Sequence, residues 1–220
     1  MKTKVYSLVY KEREKVSKIV DSVATLMKEG GIVAFPSETC YCLAVDATND
    51  AAVQKLLALG VRLAPSLNLV VADMRMAKDH FEIPKDVEEV TYKFTPGPLT
   101  IVSKLLRGSK ISKALVQDGE SIGFRISASE IARMISNELN APITAAVVED
   151  APTIYNLNEL KLKFDGKVDA IIEMGNLLSI IPSTIIDMRN HEPVLMREGP
   201  IPFDEFNREL MRAREVKTTI

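Results

Sequence analysis

A chain of 220 residues that is 46% hydrophobic and 26% charged, with a formal net charge of -2, has room for one large domain or two small ones around a substantial core. High apolar content at so low a net charge excludes disorder as the dominant state. No uncharged apolar run reaches the roughly 18 residues of a membrane span, and charge at Lys11 interrupts the N-terminal stretch before a signal-peptide core can form. The expectation is a cytoplasmic protein with no membrane partner. Aromatic residues are only 5% and tryptophan is absent, so stacked nucleobases are not advertised, and a pI near 5.8 argues against a broadly basic nucleic-acid surface. A local basic groove is compatible with these figures.

In chain order, Val16, Ile19, Val20, Val23, Leu26 and Met27 fall at helical spacing, and Gly30 and Gly31 stop that helix. Ile32 to Phe35 reads as a short buried strand ended by Pro36, which removes a ladder donor. Cys40 and Cys42 follow with one residue between them. The alternation of strand side chains is expected to send them apart, so that a disulfide would be badly strained and both remain reduced structural thiols. His80 and His191 do not lie at ligand spacing, so no metal site is expected. Asn49 or Asp50 caps a second helix with Val53, Leu56 and Leu57 on its apolar face. Strand-like runs come at 67–71, 99–102, 122–126, 143–148, 168–172 and 184–186. A helix capped near Ser127 or Ser129 buries Ile131, Met134, Ile135 and Leu139. Strands interleaved with helices predict a mixed α/β domain with helices covering a sheet. The stretch from Phe203 to Lys217 reads as a charged helix, a solvated face or tail.

Walker A, GxGxxG, HExxH and GxSxG patterns are all missing, and two isolated histidines give a catalytic triad little to work with. Four segments stand out instead. Pro36-Ser37-Glu38-Thr39-Cys40-Tyr41-Cys42-Leu43 sets two hydroxyls and a carboxylate at a strand end, where open α/β sheets place ligands. The same residues also suit a turn in which Ser37 and Thr39 satisfy local backbone groups. Thr95-Pro96-Gly97-Pro98-Leu99-Thr100 is a rigid turn that could present a main-chain amide to a ligand. Gly123-Phe124-Arg125-Ile126 puts a guanidinium on an apolar strand, where it needs a carboxylate or phosphate partner. Finally, Ile181 to Asp187 and Leu195 to Gly199 again set hydroxyls and an arginine at strand ends.

Taken in this order, the segments from about Ser17 to Pro200 resemble the YrdC family of L-threonylcarbamoyladenylate synthases. The family pattern runs Pro-Thr-(Asp/Glu)-Thr-x-Tyr-Gly-Leu, Lys-x-Arg, Pro-Gly-Pro-Leu-Thr, Val-x-Arg-x-Pro, Ser-Ala-Asn-x-Ser-Gly, Pro-Ser-Thr-x-x-Asp and Arg-x-Gly. The resemblance implies a single YrdC-type α/β domain over 1–202, a twisted mixed sheet with flanking helices and a large open cavity, followed by the charged helix or tail at 203–220. It implies a nucleotidyltransferase that converts threonine, bicarbonate and ATP (with Mg²⁺, as substrate) into threonylcarbamoyl-AMP for the t6A modification of tRNA. It further implies substrate-binding roles for Ser37, Thr39, Tyr41, Thr100, Arg125 and Ser183, and nucleotide-binding roles for Arg62, Thr184 and Arg197. No catalytic residue is assigned. A catalytically impaired paralogue that binds a nucleotide or other anion, or a module binding tRNA or other double-stranded RNA, are the alternative readings.

The departures from the pattern are specific. Cys42 replaces a glycine. The Lys-x-Arg pair falls either on Gly60 and Arg62 or on Val61 and Leu63, so at least one cation is gone, with Arg62, Arg75 or Lys104 as candidate replacements. Ser-Ala-Asn-x-Ser-Gly becomes Val147, Val148, Glu149, Asp150, Ala151 and Pro152. Losing a lysine and two donors weakens phosphate binding by roughly 3–6 kcal/mol if the losses add. Five side chains, Ser37, Thr39, Arg125, Ser183 and Arg197, are expected to converge on one cavity.

Overall fold

The computed structural model describes residues 2–9, 12–61, 67–116, 119–147, 154–178 and 181–218. The elements are β1 (Lys4–Ser7), α1 (Arg13–Lys28), β2 (Val33–Pro36), β3 (Tyr41–Ala44), α2 (Asp50–Leu57), β4 (Asn68–Val70), α3 (Met74–His80) and α4 (Lys85–Phe94). They continue with β5 (Leu99–Lys104), β6 (Ser121–Arg125), α5 (Glu130–Leu139), β7 (Ile143–Ala145), α6 (Leu157–Phe164), β8 (Ala170–Glu173), β9 (Thr184–Asp187), β10 (Val194–Arg197) and α7 (Phe203–Thr218). Two mixed sheets result, one of order β1-β8-β2-β3 and one of order β10-β9-β5-β6-β4-β7. A bridge between Leu43 and Ala146 joins them, with reciprocal backbone hydrogen bonds of 2.8 and 3.0 Å. The expected α/β class is what the chain adopts. No helix among the described residues is long and apolar enough to cross a membrane.

Helix α1 forms where the apolar spacing puts it. Val20, Val23, Ala24 and Met27 are buried, and the helix packs on α5. It ends as Gly30 takes φ +82°, with the amides of Gly30 and Gly31 closing on the Met27 and Leu26 carbonyls. Asn49 caps α2 by accepting from the Ala52 amide at 3.1 Å. Helix α7 is charged as expected but is docked on α4 rather than solvated. Phe206 and Leu210 are fully buried, and Phe206 lies against the Phe94 ring of α4 at 6.0 Å between centroids. Arg214 pairs with Asp86 at 2.9 Å, and Lys93 pairs with Glu209. Composition made this helix look like a tail. The spacing of Phe203, Phe206 and Leu210 gives it an apolar stripe.

Candidate functional site

Strands β2 and β3 form an antiparallel hairpin in which Pro36 faces Tyr41, and residues 37–40 make the turn. The Ser37 hydroxyl organises that turn. It donates to the Cys40 carbonyl at 2.7 Å and accepts from the amides of Thr39 and Cys40, each at 3.1 Å. The turn reading therefore describes Ser37 well. Thr39 is held by its hydroxyl contact with Ser37 Oγ at 3.1 Å.

Arg125 ends β6, paired on one side with Val70 of β4, and only 3% of it is exposed. As its burial requires, it has a carboxylate partner: Nη1 lies 3.3 Å from Glu38 Oε1. Glu38 also accepts from the Ser127 hydroxyl and from the Ala128 amide, so one carboxylate ties the hairpin turn to the loop entering α5. Ser129 Oγ strengthens that tie by donating to the Pro36 carbonyl at 2.9 Å. Arg125 Nε is buried and has no hydrogen-bond partner among the described residues. A buried unsatisfied donor costs about 1–3 kcal/mol.

The third wall comes from β9 and β10. Register slips by one residue between Leu195 and Arg197, a bulge that brings Arg197 opposite Ile185. Arg197 donates from Nε to the Ser183 carbonyl at 2.9 Å and from Nη2 to Ser183 Oγ at 3.0 Å. Burial, and then repulsion from Arg125, lower its pKa. Thr100 Oγ1 lies 2.9 Å from Ser183 Oγ and braces it from behind. Gly199 makes the close approach possible, because a Cβ there would come within 2.4 Å of both the Pro182 carbonyl oxygen and the Thr184 nitrogen. Those are backbone atoms that cannot rotate away. Gly199→Ala is expected to cost about 1–3 kcal/mol and to move Ser183 with Arg197. A urea midpoint unchanged from wild type would contradict this packing.

Thr39, Arg125, Ser183 and Arg197 thus line one cavity of about 140 Å³, together with Cys40, Cys42, Asn68, Val147 and Tyr155. Ser37 is not on it. With Glu38 it lines a larger cleft of about 820 Å³, walled by α1 and α5. Tyr41 and Thr184 also point elsewhere. The Tyr41 hydroxyl donates to the Gly175 carbonyl and accepts from the Met174 amide, while Thr184 Oγ1 donates to the Ile201 carbonyl and accepts from its amide. The Gly97 amide does not await a ligand: it donates to the Ile126 carbonyl at 3.0 Å. Arg75 is exposed beside Asp73, and Lys104 lines a separate pocket with Glu120 and Arg189, so neither replaces the missing cation at this cavity. Arg62, Glu149 and Asp150 lie outside the described residues. Asn68 and Tyr155 escaped the sequence reading; an amide at the start of the apolar 67–71 run was the available signal for Asn68.

Both thiols face the cavity, and they do not diverge. Cys40 closes the turn and Cys42 lies two residues on in β3, on the same face, with the sulfurs 3.6 Å apart. Both cysteines are free and buried. A hydrogen bond from Cys42 outweighs burial and, helped by Thr39 and Arg125, brings the Cys40 pKa down to about 7. The same pairing, with burial, raises Cys42 well above the ordinary thiol range. Cys40 is therefore mostly protonated at pH 6 and mostly thiolate at pH 8. Wild-type alkylation at Cys40, read by peptide mass, should rise through pH 7, and in Cys42→Ala, which lacks the main cause of the lowering, its midpoint should move up. A wild-type midpoint near that of free cysteine would contradict it.

The cavity thus sets two guanidiniums, Arg125 and Arg197, beside the hydroxyls of Thr39 and Ser183 and the Asn68 amide, in a mixed α/β domain. Residues 25–199 match the Sua5/YciO/YrdC family model, described as "Telomere recombination", and the chain belongs to that family. It is 28% identical over 213 residues to the threonylcarbamoyl-AMP synthase of Pyrococcus abyssi, an alignment covering 94% of this chain and 62% of that protein. The structure of P. abyssi Sua5 complexed with L-threonine superposes with a TM-score of 0.82 at 27% identity, over 94% of this chain and 61% of that one. The fold is also that of Escherichia coli YciO, with a TM-score of 0.79 at 20% identity, covering 93% of this chain and 98% of the other. The chain thus spans about three fifths of the length of the P. abyssi protein.

Proposed function

We propose that this domain carries threonylcarbamoyl-AMP synthase chemistry, taking L-threonine, bicarbonate and MgATP to threonylcarbamoyl-AMP and pyrophosphate for t6A modification of tRNA. The observation that carries the reading is Arg125, which lines one cavity with Arg197 and whose buried Nε has no hydrogen-bond partner among the described residues. A carboxylate or carbamate oxygen satisfies that donor, and a charge-assisted hydrogen bond contributes about 1.5–3 kcal/mol. Thr39 and Ser183 supply hydroxyls for the remaining polar groups of an amino acid. A cavity of about 140 Å³ suits an amino acid better than a whole nucleotide. The P. abyssi relative complexed with L-threonine supports this assignment.

Val147 lines the same cavity at the position where the family pattern has serine. That favours weakened nucleotide binding, and with it the second reading of a domain that holds the amino acid and turns over slowly. Calorimetry separates the two. Wild type should bind L-threonine, Ser183→Ala should bind it about 3- to 10-fold more weakly, and Val147→Ser should tighten MgATP by about 2- to 10-fold, each a loss or gain of one neutral hydrogen bond. Absence of threonine binding by folded wild type would overturn the proposal.

A further inference from the structure

Cys40 and Cys42 are the only two cysteines of the chain, and both line the cavity of Arg125 and Arg197. In the family pattern the second of these positions is glycine, so the second sulfur is a feature of this sequence. Both belong to an apolar cluster with Val20, Phe35 and Ile131, yet unlike inert core thiols they also have polar and charged neighbours. Thr39 Oγ1 donates to Cys40 Sγ at 3.9 Å, Ser37 Oγ lies 3.7 Å from Cys42 Sγ, and the Arg125 guanidinium favours a negative charge on Cys40. A cavity of about 140 Å³ admits a molecule the size of hydrogen peroxide, since a water takes about 30 Å³ of liquid volume.

We propose that Cys40 and Cys42 form a peroxide-sensitive dithiol in the wall of the cavity, with Cys40 oxidised first and Cys42 resolving it. The Cys40 thiolate attacks one oxygen of a hydroperoxide. An S–O bond forms, the O–O bond breaks, and the second oxygen leaves as an alcohol or water after taking up a proton. Cys42 then attacks the sulfenic sulfur; the S–S bond forms, the S–O bond breaks, and water leaves. Two electrons pass from the dithiol to the peroxide. The sulfurs need to close from 3.6 Å to about 2.05 Å, which moves the turn that carries Thr39. A disulfide strained in this way is readily reduced by small thiols, so the modification is reversible.

The test uses the whole chain treated with hydrogen peroxide, followed by thiol counting in denaturant and intact mass. Wild type should lose both thiols together with the mass of two hydrogens, regain them with dithiothreitol, and react about tenfold or more faster than glutathione in the same buffer. Urea-unfolded chain should lose that advantage. Cys42→Gly should react more slowly, because Cys40 loses the hydrogen bond from Cys42, and should stop at the addition of one oxygen, trapped by dimedone on Cys40. In Cys40→Ser, Cys42 should react about tenfold or more slowly than Cys40 does in wild type. A folded wild-type rate no greater than that of glutathione, equal reactivity of Cys42 in Cys40→Ser, or oxidation only to disulfide-linked dimers would overturn the proposal.

Discussion

Arg125→Met is expected to destabilise the folded chain by about 3–5 kcal/mol and to abolish measurable threonine binding. Methionine fills much of the space of the arginine stem, so the cost does not come from a void. It comes from Glu38, which would keep its ties to Ser127 and Ala128 but lose the cation 3.3 Å away. A partly buried carboxylate without its partner either forgoes its charge or distorts the turn and the loop that it joins. The companion double variant Arg125→Met with Glu38→Gln should recover part of the loss, because both charges are then removed together. Urea unfolding of the four members of this cycle reads the coupling. Additive effects within about 0.5 kcal/mol would show that the pair does not act as a unit.

Phe206→Ala is expected to cost about 3–5 kcal/mol, the range for deleting a fully buried aromatic side chain. The ring fills the seam between α7 and α4, and removing it leaves a cavity beneath Leu210. A solvated tail would respond by less than about 0.5 kcal/mol. Equilibrium unfolding distinguishes the two outcomes, and threonine binding should persist in the variant under native conditions, because α7 contributes nothing to the cavity.

What could be read ahead of the structure follows from where each residue finds its partners. Helix α1 was legible because its buried positions repeat every 3.6 residues, and α2 because Asn49 caps it from three residues away. Strand β1 was not, since Lys4 to Ser7 is an edge strand with exposed and half-buried positions that carry little pattern. Helix α4 was also hidden: Val87 and Val90 supply few apolar positions among charged neighbours.

The site behaves in the same way. Arg125 announced itself as a charge on an apolar strand, and Ser183 and Arg197 through the order of their segments. Tyr41 and Thr184 matched the family pattern equally well, yet their hydroxyls are held by Gly175 and Ile201, partners that no local spacing reveals. The two thiols converge, against the expectation of divergence, because alternation parts neighbours and brings residues two apart to one face.

The most direct test of the central claim is pyrophosphate release from MgATP by purified chain, measured with and without L-threonine and bicarbonate. Release that requires all three substrates together, and that falls by about 10-fold or more in Arg197→Met, is the expected result. Release that is indifferent to threonine, or is unchanged by loss of Arg197, would contradict the placement of synthase chemistry at this cavity.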